Sequence, residues 1–346
     1  MKTKLFKTKV LLLFAVFAIH LNAQAQLRQS QTNATQSTAL QQAKENPAAD
    51  IHNPENQSPF DAVKGLKEDL SKRDAFSKHY INEDGSFTAL IGAGPIHYER
   101  NGQFLDIDHT ITQSSTMNFP FANTTNLMES YFGATVEYGV KSKTMEGEVV
   151  EFMNPTMYWE VNGQAMGTQQ AANTQAQIQA DKATYPNIYG DISAEYKVLT
   201  GKREMNYIIP NPQALGAVPA GADYLVFTED VVLPFGWTSS LTETGIMIKD
   251  AMGQEIYLYE NPHSTDAESH ALREENTIFE TLQIGNTLTI KTKVKTEWLL
   301  SSERVFPVMV DPTVDVYPTA VGNYNTGAID ALGNKTANND IYVGMR

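Results

Sequence analysis

From Ser86 onward the chain consists of short runs rich in Val, Ile, Tyr, Phe and Thr. Each run is broken after a few residues by Gly, Asn, Asp or Pro. Such punctuation leaves no room for long helices and points to an all-β antiparallel fold, a sandwich or a barrel. The clearest piece is "PIHYERNGQFLDID", residues 95–108. Asn101-Gly102 suits a two-residue type I′ turn, because both central positions need positive φ. Folding on that turn predicts the pairs Arg100 with Gln103, Tyr98 with Leu105 and Ile96 with Ile107. His97 with Asp106 and Glu99 with Phe104 then fall on the other face. Alternation and turn chemistry agree on this register.

Two more hairpins are written the same way. "GIMIKDAMGQEIYLYE" (245–260) folds around residues 250–253, and "TIFETLQIGNTLTIKTKVK" (277–295) turns at Gly285-Asn286. Strand-like runs also cover 147–153, 157–161, 192–199, 204–209 and 224–233. The Gln- and Ala-rich stretch 162–182 has no period and reads as a surface loop or a weak helix. A short helix is expected over 59–76, where Val63, Leu66 and Leu70 recur at helical spacing.

The first residues belong to none of this. Lys2, Lys4, Lys7 and Lys9 precede the apolar run VLLLFAVFAI at 10–19, and Ala23-Gln24-Ala25 has the small-x-small spacing of a cleavage site. That is a secretory signal, too short in its apolar run for a permanent membrane span. Taking these four lysines from 26 basic residues leaves 22 against 40 acidic ones, a net charge of about −18. A polyanion repels phosphate backbones and anionic lipid, so neither nucleic acid nor, once the signal is cleaved, a membrane is expected as partner. The chain has no cysteine, so disulfides, zinc thiolates and a cysteine nucleophile are excluded. Residues 26–59 are rich in Gln, Asn, Ser, Thr and Ala, and read as a disordered tether.

The expected organisation is a signal peptide (1–25), the tether (26–59), a β-rich sub-domain (60–200), a β-sandwich sub-domain (201–312) and the start of a third β-domain (313–346). A single large split sandwich is the alternative. Asp311-Pro312 punctuates "RVFPVMVDPTVDVYP" (304–318), and "VDVYPTAVGNYNTG" then reads as a new beginning. The strand-like end "NDIYVGMR" has no partner to bury its face. The chain is therefore expected to be a fragment, cut inside the third domain.

No catalytic, cofactor-binding or metal-binding residue is singled out. His52, His79, His97, His109, His263 and His270 show no HExxH spacing, and neither a G-x-S-x-G elbow nor a P-loop is present. His97 opposite Asp106 is the best acid–base dyad, although a cross-strand pair of this kind is more often an ordinary ion pair. Asp106, Asp108, Glu229 and Asp230 are the carboxylates that a glycosidase pair would draw on, and each reads first as a cap or a solubilising charge. "NEDGS" at 82–86 is the nearest approach to a calcium loop and reads as a plain turn. Tyr158, Trp159, Tyr185, Tyr189, Trp237 and Trp298 are the pool for a sugar-stacking platform, against a core role for each.

Four stretches, taken in order, resemble a known arrangement: "RDAFSKHYINEDGSFTALIGAGPIHYERNGQFLDID", "YPNIYGDISAEYKVLTGKREMNYII", "GIMIKDAMGQEIY" and "EWLLSSERVFPVMVDPTV". Together they are similar to a β-rich module near the N-terminus of large secreted bacterial surface proteins, of the kind that leads into DNRLRE-type sandwiches or RHS/YD repeats. The resemblance implies an extracellular, non-catalytic scaffold at the surface of a Gram-negative bacterium, with no cofactor. Its implied partners are the downstream domains of the same chain, and extracellular polysaccharide or cell-surface components. The chain carries no YD-repeat array, so RHS toxicity is not implied.

Overall fold

The computed structural model describes residues 63–92, 94–268 and 276–316, together with the two-residue strands at 328–329 and 335–336. The expected signal peptide and tether, and most of the stretch after Val316, lie outside the described residues. The described chain is all-β, and it divides into two compact units: residues 63–68 with 80–90, and residues 69–79 with 91 onward.

In the first unit, β1 (Lys67–Glu68) lies antiparallel to the end of β2 (Ser77–Ile81). The 82–86 stretch is a hairpin turn leading into β3 (Phe87–Ile91). Asn82 N–H donates to the Ser86 carbonyl, and Asp84 accepts from the Ser86 N–H. The helix expected over 59–76 does not form in its described part. Gly65 turns the chain at φ 83°, and Asp69 caps a single 3₁₀ turn, Leu70–Lys72. Leu70, counted as part of an apolar stripe, is largely exposed.

The second unit opens with the hairpin of β4 (His97–Arg100) and β5 (Gln103–Asp106), in the register expected from the Asn-Gly turn. Asn101 and Gly102 take φ of 53° and 74°. Replacing Gly102 with Val puts a β-branched residue at positive φ, and should lower stability by about 1–3 kcal/mol. A denaturation midpoint equal to wild type would contradict that turn.

The remaining strands make two antiparallel sheets, between which the chain alternates. The first sheet takes β6 (Thr112–Thr116), β7 (Phe119–Asn123), β8 (Glu129–Phe132), β9 (Val140–Lys143), β10 (Glu148–Val161) and β11 (Gln164–Gln170). The second takes β12 (Gln177–Gln179), β13 (Lys182–Tyr189), β14 (Ile192–Leu199) and β15 (Lys202–Ile209). The chain returns to the first with β16 (Tyr224–Val232) and to the second with β17 (Thr238–Thr242), β18 (Gly245–Lys249), β19 (Glu255–Glu260) and β20 (His263–Thr265). It crosses once more for β21 (Thr277–Ile284) and β22 (Thr287–Lys295), then closes the second sheet with β23 (Val308–Asp311) and β24 (Val314–Val316). The first sheet runs β21-β22-β16-β10-β9-β8-β7-β6, with β11 on β10. The second runs β12-β13-β14-β15-β24-β19-β18-β17, with β23 between β15 and β20.

This topology does not divide at residue 200. Leu199 pairs with Lys202 across the β14–β15 hairpin, and β10 lies beside β16. Both expected halves are thus interleaved in both sheets. Nor does Asp311-Pro312 end a domain. β23 pairs with the far end of β15 and β24 with its near end, so 308–316 is one bent strand through the middle of the sheet. Further on, Ala328–Ile329 pairs with Lys335–Thr336. The 162–182 stretch is neither bare loop nor helix. Its polar text carries no period, but β11 is held on the edge of β10 and β12 on the edge of β13.

The core lies between the sheets. Ile192, Ala194, Tyr196 and Val198 point inward from β14, and Met205, Tyr207 and Ile209 from β15. They meet Phe152, Met157 and Trp159 of β10 and Leu225 and Phe227 of β16. The rings of Tyr207 and Phe227 stack across the interface at 4.1 Å and 11°. Offset aromatic pairs of this kind add about 0.5–1.5 kcal/mol beyond their buried area. A second cluster packs Val231, Leu288 and Ile290 against Ile246, Ile248, Tyr257 and Val316.

Candidate functional site

His97 and Asp106 face each other in the expected register, but no hydrogen bond joins them. His97 is fully buried. Its Nδ1 lies 2.6 Å from the Asp74 carbonyl, and its Nε2 3.4 Å from Asp106 Oδ1. Asp106 is held by two other cations. Lys78 bonds one oxygen, and Arg73 Nη2 approaches the other at 3.2 Å. Burial pushes the Asp106 carboxyl up, but these two cations outweigh it and leave its pKa below the usual carboxylate value. A proton acceptor so stabilised as an anion is a poor base.

The other candidates separate. Asp108 caps a turn by accepting from the Thr110 N–H at 2.8 Å. Asp230 faces outward and accepts from Thr289 Oγ1 at 2.7 Å and Asn154 Nδ2 at 3.2 Å. Glu229, its neighbour in β16, faces inward, since alternate residues of a strand point to opposite faces. The two do not form a catalytic pair. Of the aromatic pool, Trp159, Tyr185, Tyr189 and Trp237 are buried, leaving Tyr158 and Trp298 partly exposed. Among the described residues, no group of three or more His, Asp or Glu is placed to hold a metal ion.

The strongest polar constellation is one that no motif announced. Arg203 is the first inward-facing residue of β15, the strand whose inward set continues with Met205, Tyr207 and Ile209. Alternation therefore forces a guanidinium into the core, where it is fully buried. It is met from the first sheet. Nη2 donates to Glu151 Oε2 at 2.6 Å, and Nη1 to Ser142 Oγ at 2.8 Å and Ser130 Oγ at 3.3 Å. Ser142 Oγ donates in turn to Glu151 Oε1 at 2.5 Å. The Tyr196 ring lies 5.6 Å from the guanidinium carbon. Burial disfavours the Arg203 charge, but Glu151 more than offsets that, and the pKa ends above its ordinary value.

Glu229 completes this centre. Burial first, and then the negative charge of Glu151, push its carboxyl up to about 8 against the pull of Arg203. It is therefore mostly protonated at neutral pH. The hydroxyls of Tyr189 and Tyr196 lie in the same interior without a hydrogen-bond partner among the described residues. Desolvation raises both phenols well above their ordinary range. The centre holds one guanidinium, one carboxylate, one carboxylic acid and neutral phenols. That set ties two sheets together, and it lies away from solvent.

A second, outward-facing group lies where 308–316 bends. His263 Nε2 is 3.6 Å from Asp311 Oδ2, and Thr313 donates to the other Asp311 oxygen. Lys202 bridges to Glu260 at 2.5 Å. Burial and the adjacent Glu260 push Asp315 up to about 7, with Lys202 opposing.

No known protein family matches the chain, and no curated protein matches it in sequence. Among solved structures it is similar to a family GH92 α-mannosidase from Bacteroides thetaiotaomicron in complex with mannoimidazole, at 8% identity and a TM-score of 0.26. The match covers 62% of this chain and spans 28% of that enzyme. A likeness this distant carries no argument about activity.

Proposed function

We propose that this chain is a secreted, non-catalytic structural module of a bacterial surface protein, which spaces or presents the chain that follows it. The observation that carries the reading is the position of 308–316. β24 is hydrogen-bonded on both sides, to β15 and to β19, in the middle of the second sheet. Whatever follows Val316 is thus anchored in the centre of a sheet. A pull on it must shear two ladders at once, where an edge strand would peel from one. The buried ion pair between the sheets serves the same end. The alternative, a carbohydrate-binding accessory region of a larger secreted enzyme, calls for two or three aromatics on one exposed face, and four of the six candidates are in the core.

The test is single-molecule force spectroscopy on the full chain, pulled from its two ends. We expect residues 111–316 to open in one cooperative event. Release of 308–316 at low force, ahead of the rest, would overturn the reading.

A further inference from the structure

We infer that β21 is a self-pairing edge, through which two copies of this chain join their first sheets. An edge strand presents unpaired backbone groups, and proteins blunt such edges with brevity, charge, proline or bulges. The other sheet ends are short or polar. β12 is three residues long. β6 and β17 read TQSST and TSSLT. β11 is polar and broken by Gly167 at φ 66°. β21 is longer, unbroken and free of proline, and Glu280 is its one charge. It runs TIFETLQI, pairs with β22 without any register shift, and exposes alternate aliphatic residues. Ile278, Leu282 and Ile284 are 39%, 58% and 71% exposed.

The hydrogen-bonding sense of the strand follows from its turn. Ile284 and Thr287 flank the two-residue turn, so they exchange hydrogen bonds, as do Leu282, Glu280 and Ile278 with their partners on β22. The N–H and C=O groups of Thr277, Phe279, Thr281 and Gln283 therefore point away from β22. Among the described residues, no backbone group bonds to them. Water meets such a row in a lone copy, and a second strand meets it with a regular ladder.

A second copy fits, because in one antiparallel register residues 278–284 of β21 pair throughout with their own copy. An antiparallel two-fold centred on Thr281 sets Phe279 against Gln283 of the second copy. On the outer face it sets Ile278 against Ile284 and Glu280 against Leu282. Each Glu280 already binds Lys291 and, at 3.2 Å, Lys293 of its own copy, so no uncompensated charge enters the seam. Centring on Glu280 instead would oppose the two carboxylates, which is unfavourable. The interface is isologous and closes at two chains.

The test is sedimentation equilibrium of the full chain across a wide concentration range, with crosslinking in this cysteine-free background. Wild type should show a monomer–dimer equilibrium. Leu282→Lys with Ile284→Lys, both at exposed positions, should raise the dissociation constant by roughly tenfold or more with circular dichroism unchanged. Thr281→Cys should form a disulfide-linked dimer under mild oxidation, and Glu280→Cys should not. A wild-type chain that stays monomeric at millimolar concentration overturns the proposal, as does a dimer that survives the double lysine variant. Crosslinking by Glu280→Cys in place of Thr281→Cys overturns the register.

Discussion

Arg203→Met should cost about 3–5 kcal/mol of unfolding free energy at neutral pH, because it leaves Glu151 buried without its cation. The guanidinium reaches Glu151, Ser142 and Ser130 at once, so no single residue nearby replaces it. Glu151 must then ionise in the core or take up a proton beside the already protonated Glu229. Removing the partner as well changes the outcome. A buried ion pair exchanged for apolar side chains of similar volume is often close to neutral. The double variant Arg203→Met, Glu151→Leu should therefore recover most of what the single variant loses. Ser142 keeps a part of the deficit, since its hydroxyl loses both partners. Urea denaturation of wild type, both single variants and the double variant gives the coupling energy directly. A coupling below about 0.5 kcal/mol would show that the pair does not tie the sheets together.

Turn chemistry and alternation made much of this fold legible. The Asn101-Gly102 hairpin appears in its expected register because both signals are local and agree. The hairpins at 250–253 and at Gly285-Asn286 form for the same reason. Strand β14 carries its inward set in plain alternation. What was not legible is which strands lie beside one another. Thr200-Gly201 reads as a boundary, whereas it is the turn of a hairpin between neighbouring strands. Asp311-Pro312-Thr313 reads as an end, whereas the chain bends there and continues beside the same strand. Arg203 follows Lys202 and stands just before the run 204–209 that reads as a strand. Only the long-range pairing of β15 shows that alternation carries Arg203 into the core. The centre joins Ser130, Ser142, Glu151, Arg203 and Glu229 from five strands, and nothing in their spacing announces it.

Stability should fall as pH rises from about 5 to 9, by roughly 2–4 kcal/mol, and Glu229 should carry most of the change. Its carboxyl titrates near 4.5 in the unfolded chain and is pushed up to about 8 in the fold, by burial and by Glu151. Between those values the folded state binds a proton that the unfolded state has released, so each step upward in pH favours unfolding. Above about 8 both states are ionised, and this contribution is level. Asp315, pushed up from 3.8 to about 7, acts with the same sign over a lower window. Asp74, Asp84, Asp106 and Asp108 oppose it in acid. Their carboxyls are held below the ordinary value in the fold, so the stability they confer is lost below about pH 4. The optimum therefore lies near pH 4–5. Glu229→Gln keeps the shape and removes the proton site. The variant should be more stable than wild type at pH 9, and its decline between pH 5 and 9 should be less than half as steep. Asp315→Asn in the same background should flatten the curve further, leaving Asp311, whose carboxyl is also raised by burial and acts with the same sign. Parallel wild-type and Glu229→Gln curves would mean that the interior carboxyl is not the group that titrates. The geometry argues for Glu229 because the centre around Arg203 holds two carboxyls and one guanidinium, and Arg203 is already bonded to Glu151. The second carboxyl must then give up either its charge or its burial.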